Sequence, residues 1–457
     1  MSNTKIEIKK KYSQLSLFLS NKTKAKSVVI VDSNESIEIM QREINFFNKD
    51  LRILKFKDWE VLPYDPISPY PELITERVKT LLNLYLNTFD LLLISPIALC
   101  HLIPPKEFIE QNVFDYKIND AITTNELIER LINSGYNRTE QVYEHGEFSV
   151  RGSLLDFFPS GSSLPFRINI HSNRIESIRT FDPDTQRTVY KVNKVEVIPA
   201  REFPTNKDGI KKFRQNYRNY FSGDPTKSYI YTSVTEGINP NGIEYYIPLF
   251  FDHCNTIFDF LPNGINIFDL TEIKEISKNF YDEMKERFSL MSGNINRPVM
   301  EPENLFLDSS KISKYFETFE LVTHKNINLD LITKEIDLNI DFDKLDDSHT
   351  KLIEELTDDN KVCITFESLG KLENSFSRFS DKGIEANKIN TWTELINSKK
   401  KINLINSPIK NSFIIKEDNI IIICESDTYD YGIQSKNNTK LNRKSENFIK
   451  NVFDLTI

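Results

Sequence analysis

Glycine is scarce in this chain, 13 in 457 residues, and the first of them is Gly135. A phosphate-cradling loop of the form G-x-x-x-x-G-K-[ST] depends on glycines that bare backbone amides to the ligand. No residue before Gly135 can provide one. Gly237 and Gly242 have the right separation, but Ile243 and Glu244 stand where Lys and Ser or Thr are required. Without that Lys and hydroxyl, phosphoryl transfer loses its main electrostatic supports. Cysteine is sparse as well. The four at 100, 254, 363 and 424 include no C-x-x-C, which excludes a disulfide framework. Cys100-His101 and His253-Cys254 are adjacent pairs without local ligand spacing. Ordinary packing is expected for both, and no metal site.

Positive charge is not in excess. Lys and Arg number 58 against 67 Asp and Glu, a formal net charge of -9. Broad nucleic-acid binding is dominated by basic neutralisation of phosphates, so weak DNA binding and a protein partner are the expectation. Long apolar runs are missing too. The most apolar stretch, 91–100, is interrupted by Pro96 and falls short of the ~20 residues of a membrane span. The basic residues 1–11 lead into no apolar core or small-residue cleavage site. No membrane partner is expected, and the cytoplasm is the default compartment. The 39% hydrophobic and 27% charged composition is that of a globular protein, and the length accommodates about three domains of ~150 residues.

What is present centres on residues 144–188, EHGEFSVRGSLLDFFPSGSSLPFRINIHSNRIESIRTFDPDTQRT. Phe166, Ile168 and Ile170 alternate with Arg167, Asn169 and His171, the period of a strand with one face in a core and the other turned outward. Ser172 and Asn173 mark a turn before the next run, 175–181. Asp182-Pro183-Asp184 marks a second turn before a strand over 189–198. The segment reads as a β-meander. Asp182 and Asp184 are expected as turn formers and not as an acid-base pair. His145, with no nucleophile beside it in sequence, is expected to be structural. No active site is identified.

Around the meander the chain alternates helix and strand. A β-branched run at 27–31, helical spacing at 35–47 and strands at 52–56 and 91–94 predict a parallel α/β start. The helix between those last two strands, 71–86, opens with Pro71 and Glu72 as helix N-termini prefer. Thr123 or Thr124 caps a helix to Ser134. A helix is expected over 211–220 and apolar runs at 243–251 and 256–261. Segments 346–356, 362–366, 370–379, 401–404 and 419–424 predict a small C-terminal α/β domain.

The same residues carry a family resemblance. The motifs GE(F/Y)xxRGxLLDxFP, LP(F/Y)R and FDxDxQRT stand in this order within 144–188, and Asp58-Trp59-Glu60, Leu62-Pro63-Tyr64-Asp65 and Ser68-Pro69, followed by Glu76-Arg77, match a DWExLPYDxxSP element. Gly242-Ile243-Glu244-Tyr245 with Pro248-Leu249-Phe250-Phe251 forms a third match, and Ile423-Cys424-Glu425-Ser426-Asp427 a late, weaker one. Together they resemble the UvrB-homology module of the bacterial transcription-repair coupling factors. The likeness runs with few gaps from about Asp58 to Pro262 and is weaker on either side.

The resemblance implies a UvrB-like α/β domain with a degenerate nucleotide site in two parts, 1–112 and 205–330. It implies an inserted β-rich UvrA-binding domain at 113–204, a small α/β domain at 331–435 and a polar tail at 436–457. It also implies UvrA as partner, through Arg151 and Arg167. Strand context points at least Arg167 away from the Phe166 and Ile168 core face, and if both face solvent, reversing both charges would spare the fold. Arginine suits such a contact because its planar fork pairs bidentately with carboxylates. His171 stands where the family commonly carries an aromatic contact, so it offers less apolar surface. The family's RNA-polymerase-binding and ATP-driven, Mg-dependent translocase domains are expected to lie outside this chain, linking it to RNA polymerase and DNA and offering an intramolecular docking surface. No cofactor is expected within it. The alternative, a UvrB-class ATP-dependent damage-verification helicase, lacks both the phosphate loop and room between Tyr64 and Glu76 for a long DNA-clamping hairpin.

Overall fold

The computed structural model describes residues 11–21, 25–159, 161–336, 338, 340, 342 and 347–425. The polar tail and the Ser426-Asp427 end of the late motif lie outside them. The expected parallel α/β architecture is present. Five parallel strands run in the spatial order Glu320–Thr323, Asn266–Asp269, Ser27–Ile30, Leu91–Ile94, Ile53–Phe56. The two central strands are buried throughout. Because side chains alternate across a strand, Val28, Ile30, Leu92 and Ile94 enter one core, while Val29, Leu91 and Leu93 enter another on the opposite face. The continuous apolar reading of these strands follows from cover on both faces. Two strands of this sheet come from residues after the meander, so the chain leaves the sheet and returns to it.

Helix Asn34–Phe47 is capped by the Ser33 side chain, which accepts from the Ser36 amide, and Pro71–Tyr85 begins with Pro at its first turn. A helix over Tyr12–Asn21 precedes the first strand, and a 19-residue helix, Ile273–Met291, follows Asn266–Asp269. Neither was read from the sequence. The helix expected over 211–220 starts a turn earlier, at Lys207, where the Asn206 side chain accepts from the Gly209 amide.

The meander has six strands in the order Thr188–Val192, Arg174–Phe181, Phe166–His171, Leu154–Phe157, Glu147–Arg151, Asn137–Arg138. Its inner face, including Phe148, Leu155, Phe157, Ile168 and Ile178, packs with Leu127 and Leu131 of the helix Thr124–Asn133. That helix opens with a capping box between Thr123 and Glu126. The strand expected over 189–198 is two strands in two sheets. Thr188–Val192 closes the meander, whereas Lys194–Val197 pairs antiparallel with Phe114–Lys117. The change of sheet at Asn193 gives Val195 and Val197 a buried place that an extended meander edge would not.

A fourth sheet, in the order Thr333–Glu335, Phe413–Ile415, Ile420–Cys424, Lys361–Phe366, Ile402–Asn406, Ala386–Ile389, is parallel over its last four strands. Helices Asp347–Thr357, Leu369–Asp381 and Trp392–Asn397 accompany it. It joins the first body through an apolar contact. Leu17 and Phe47 share a core with Ile405, Ile409 and Phe413, and the Phe47 and Trp392 rings meet edge-on at 4.8 Å.

Candidate partner-binding face

The upstream motif residues build the scaffold that carries the meander. Arg77 is fully buried. Its Nε donates to Glu202 at 2.7 Å, its guanidinium lies 4.1 Å from the centre of the Phe56 ring, and Trp59 Nε1 donates to the second Glu202 oxygen at 3.1 Å. Glu202 stands just after the meander, so this buried pair fastens the inserted segment to the first body. Asp65 pairs with Arg287 at 2.6 Å, and Ser68 donates to Glu244 at 2.7 Å while accepting from the Gly242 amide. Gly242 has φ +80°, and a Cβ there would meet the Asp65 carbonyl at 2.8 Å. Glycine at this turn is required by both conformation and close approach.

The meander's outer face holds the polar half of the alternation. Its strand register sets Ser149, Asp156, Arg167, Arg179 and Lys191 side by side across five strands. Asp156 organises this row. Its carboxylate is 3% exposed, and Arg167 grips it with two bonds, Nε at 2.7 Å and Nη2 at 2.8 Å. Arg151 adds a third from Nη2 at 3.0 Å. The Arg167 guanidinium also lies 4.7 Å from the centre of the Phe181 ring and donates from Nη1 to the Gln186 carbonyl. The carboxylate partner raises the Arg167 pKa further.

The two arginines differ in access. Arg151 keeps 55% of its side chain exposed, Arg167 only 19%. Arg167 therefore does not meet the condition that both face solvent: its fork is occupied inside the chain, and reversing its charge would set a carboxylate against buried Asp156. His171 is exposed at the end of the same strand, opposite Arg174. A register shift separates it from Asn169, so it stands outside the row that holds the arginines.

Asp182 behaves as a turn former, accepting from both the amide and hydroxyl of Thr185. Gln186 has φ +59° and donates to the Val142 and Pro183 carbonyls, which seats the turn beneath Arg167. His145 stacks on Phe158 at 3.9 Å with Nε2 2.8 Å from the Ser162 carbonyl, a structural placement. Burial pushes the Cys254 thiol up to about 12 and holds buried His101 neutral. No group of His, Cys, Asp and Glu able to hold a metal occurs among the described residues, and no helix there is long and apolar enough to cross a membrane.

Comparison with known proteins places these residues. Residues 114–203 match the UvrB interaction domain and residues 355–427 match the MFD, D3 domain. The transcription-repair-coupling factor of Haemophilus influenzae is 35% identical over 301 residues, 65% of this chain and 26% of that protein. The one from Escherichia coli is 30% identical over 413 residues, 88% of this chain and 35% of that protein, and the one from Rickettsia conorii is 27% identical over 92% of this chain and 37% of its own length. The chain belongs to the transcription-repair-coupling factors. It spans about a quarter to somewhat over a third of the length of these curated relatives. Within that family, Arg151, Asp156, Arg167 and His171 all fall inside the UvrB interaction domain, and its limits enclose the meander together with the Phe114–Lys117 and Lys194–Val197 strand pair. Asp156 and Glu202 were not singled out in the sequence. Asp156 carried a signal: it alternates with buried Leu155 and Phe157, so it shares the outward face that Arg167 takes on the next strand.

Proposed function

We propose that this chain is a non-catalytic module that recruits UvrA to stalled RNA polymerase in transcription-coupled nucleotide-excision repair. The observation that carries the reading is the Arg151–Asp156–Arg167 cluster on the open face of a UvrB interaction domain. Arg151 has an accessible fork, and the bidentate bond to Asp156 fixes Arg167 in position before any partner arrives, which lowers the ordering cost of binding. Arg151 and Arg167 are the UvrA contacts in this proposal, with His171 at the margin. RNA polymerase and DNA are engaged through other domains of the full-length family protein, where ATP and Mg act, and the setting is cytoplasmic.

The runner-up, a UvrB-class helicase, is not favoured. The sequence offers no phosphate loop, and a cavity of about 380 Å³ where 67–71, 144–147 and 239–244 meet sets Glu144, Glu147 and Glu244 against Arg201. Burial raises the Glu244 pKa and favours its neutral form, and the remaining two carboxylates against one guanidinium still give phosphates no net positive site. The test is a titration of UvrA against the purified chain and its Arg151→Glu variant, with a melting curve in Mg-ATP. Saturable UvrA binding weakened by the substitution, with no ATP-dependent rise in melting temperature, is expected. A stabilising shift at millimolar ATP, which any ligand well above its dissociation constant produces, would overturn the non-catalytic reading.

A further inference from the structure

The row on the meander's outer face does not end at Arg167. Arg179 stands directly opposite Arg167 on the next strand and Lys191 directly opposite Arg179 on the one beyond. Neighbouring strands lie ~4.8 Å apart, so three cations follow one another at close spacing. Like charges directly opposite on adjacent strands destabilise a sheet. The one carboxylate in the row, Asp156, is already engaged by Arg167 and Arg151. Arg179 Nε is buried without a hydrogen-bond partner among the described residues, and Lys191 is exposed. The nearest outward carboxylate toward the other end of these strands, Glu176, is engaged by Asn169. A sheet face that repels itself is a stability cost retained where binding needs it.

We infer that Arg179 and Lys191 continue the partner site across the sheet, and that the UvrA surface seated here presents an acidic patch long enough to place carboxylates over both. The inference rests on the UvrA-recruitment reading and extends it by two residues and a direction. The patch runs across the strands from Arg151 and Arg167 toward the edge strand Thr188–Val192, not along Phe166–His171 toward His171. Strand addition at that edge is disfavoured. The register shifts between Thr188 and Lys191, and such bulges blunt an edge against pairing.

The experiment measures UvrA affinity and melting temperature for the full chain and for Arg179→Glu, Arg179→Gln, Lys191→Glu and Arg151→Glu. Arg179→Glu is expected to weaken binding at least tenfold while leaving the melting temperature unchanged or raised, because the new carboxylate meets Arg167 and Lys191. Lys191→Glu is expected to weaken binding several-fold, and Arg179→Gln to fall between. Wild-type affinity in all three alongside a weakened Arg151→Glu would overturn the inference and leave the recruitment reading standing. Absence of wild-type UvrA binding, or an Arg151→Glu variant that binds normally, would overturn both. A fall in melting temperature for Arg179→Glu and Arg179→Gln alike would make the arginine structural and likewise overturn the inference.

Discussion

Two arginines in equally prominent motifs meet opposite fates in this molecule. Arg77 and its partner Glu202 are 0% and 1% exposed, while Arg151 keeps 55% of its side chain in solvent beside an Asp156 that keeps 3%. Both motifs are family signatures and both arginines hold a carboxylate. One pair fastens the inserted segment to the body, and the other leaves its cation half in solvent, where the proposed UvrA contact would reach it. Motif strength alone therefore does not separate a structural arginine from a binding one. Burial of the cation does, since a fully buried charge pair cannot exchange its partner without a large desolvation penalty.

The comparison breaks most visibly at Arg77. Arg77→Met keeps much of the volume but leaves Glu202 buried with only the Trp59 N–H among the described residues. Removing one member of a buried pair costs about 3–5 kcal/mol, and denaturant unfolding should register a loss of that size. A second change, Glu202→Leu, should recover a large part of it, because an apolar pair can replace a buried ionic one. A loss below ~1 kcal/mol in the single variant would remove the distinction drawn between the two arginines.

Glu43 sharpens it from the other side, as a buried carboxylate with no ion-pair partner among the described residues. It accepts from Ser13 and Ser16 at 2.5 and 2.8 Å and from the Lys410 amide at 3.3 Å, where the N-terminal helices meet the C-terminal domain. The Lys410 ammonium is engaged instead by Glu367. Burial raises the Glu43 pKa from 4.5 to about 7 against the lowering effect of these hydrogen bonds. The folded state thus holds a proton that the unfolded state releases above about pH 4.5. Stability from this group is fully present below that pH and is lost as pH rises through about 7. Glu43→Gln should be indistinguishable from the parent at pH 4 and more stable by ~3 kcal/mol at pH 8. Equal unfolding free energies at both pH values would sink the assignment.

Local period made much of the fold legible and said little about these pairs. Alternation at Phe166, Ile168 and Ile170 located the meander strand and its outward Arg167, and the apolar runs at 27–30 and 91–94 located the centre of the parallel sheet. The split at Asn193 was hidden, since residues on either side of it have equal strand character and only the distant Phe114–Lys117 strand decides where the second half pairs. Glu202 was hidden for the same reason, standing 143 residues from Trp59. Glu43 left a trace. It falls on the apolar stripe of Met40, Ile44 and Phe47, a place where a charged residue signals a buried polar contact. The candidate face was legible in its cations but not in its anion, because the resemblance pointed to what meets the partner and not to what holds it still.

Asp156 is the next place to press. Asp156→Asn keeps the shape and one acceptor but removes the charge that steadies Arg167, and a hydrogen bond to a charged group contributes about 1.5–3 kcal/mol. With one acceptor retained, a loss of ~1–2 kcal/mol in unfolding free energy is expected. UvrA binding should weaken as well, since Arg167 would lose its fixed geometry. Unchanged stability with unchanged binding would show that the arginines need no internal anchor.

The smallest effect on folding, and the clearest on binding, belongs to Arg151. Its side chain is mostly solvated and makes a single bond to Asp156. Arg151→Glu should cost at most ~1 kcal/mol of stability, since the bond it gives up is a largely exposed ion pair. Against an acidic partner surface the same change converts attraction into like-charge contact. Losses of ~2 kcal/mol at interface hot spots correspond to roughly 30-fold in dissociation constant. Arg167→Glu should instead lose binding and stability together, because it opposes buried Asp156. The pair of variants separates the two roles within one cluster. Melting curves recorded beside UvrA titrations should show Arg151→Glu folded and weakly binding and Arg167→Glu destabilised. If Arg151→Glu instead lost stability as Arg77→Met is expected to, the outer arginine would be structural too, and the contrast between the two motifs would collapse.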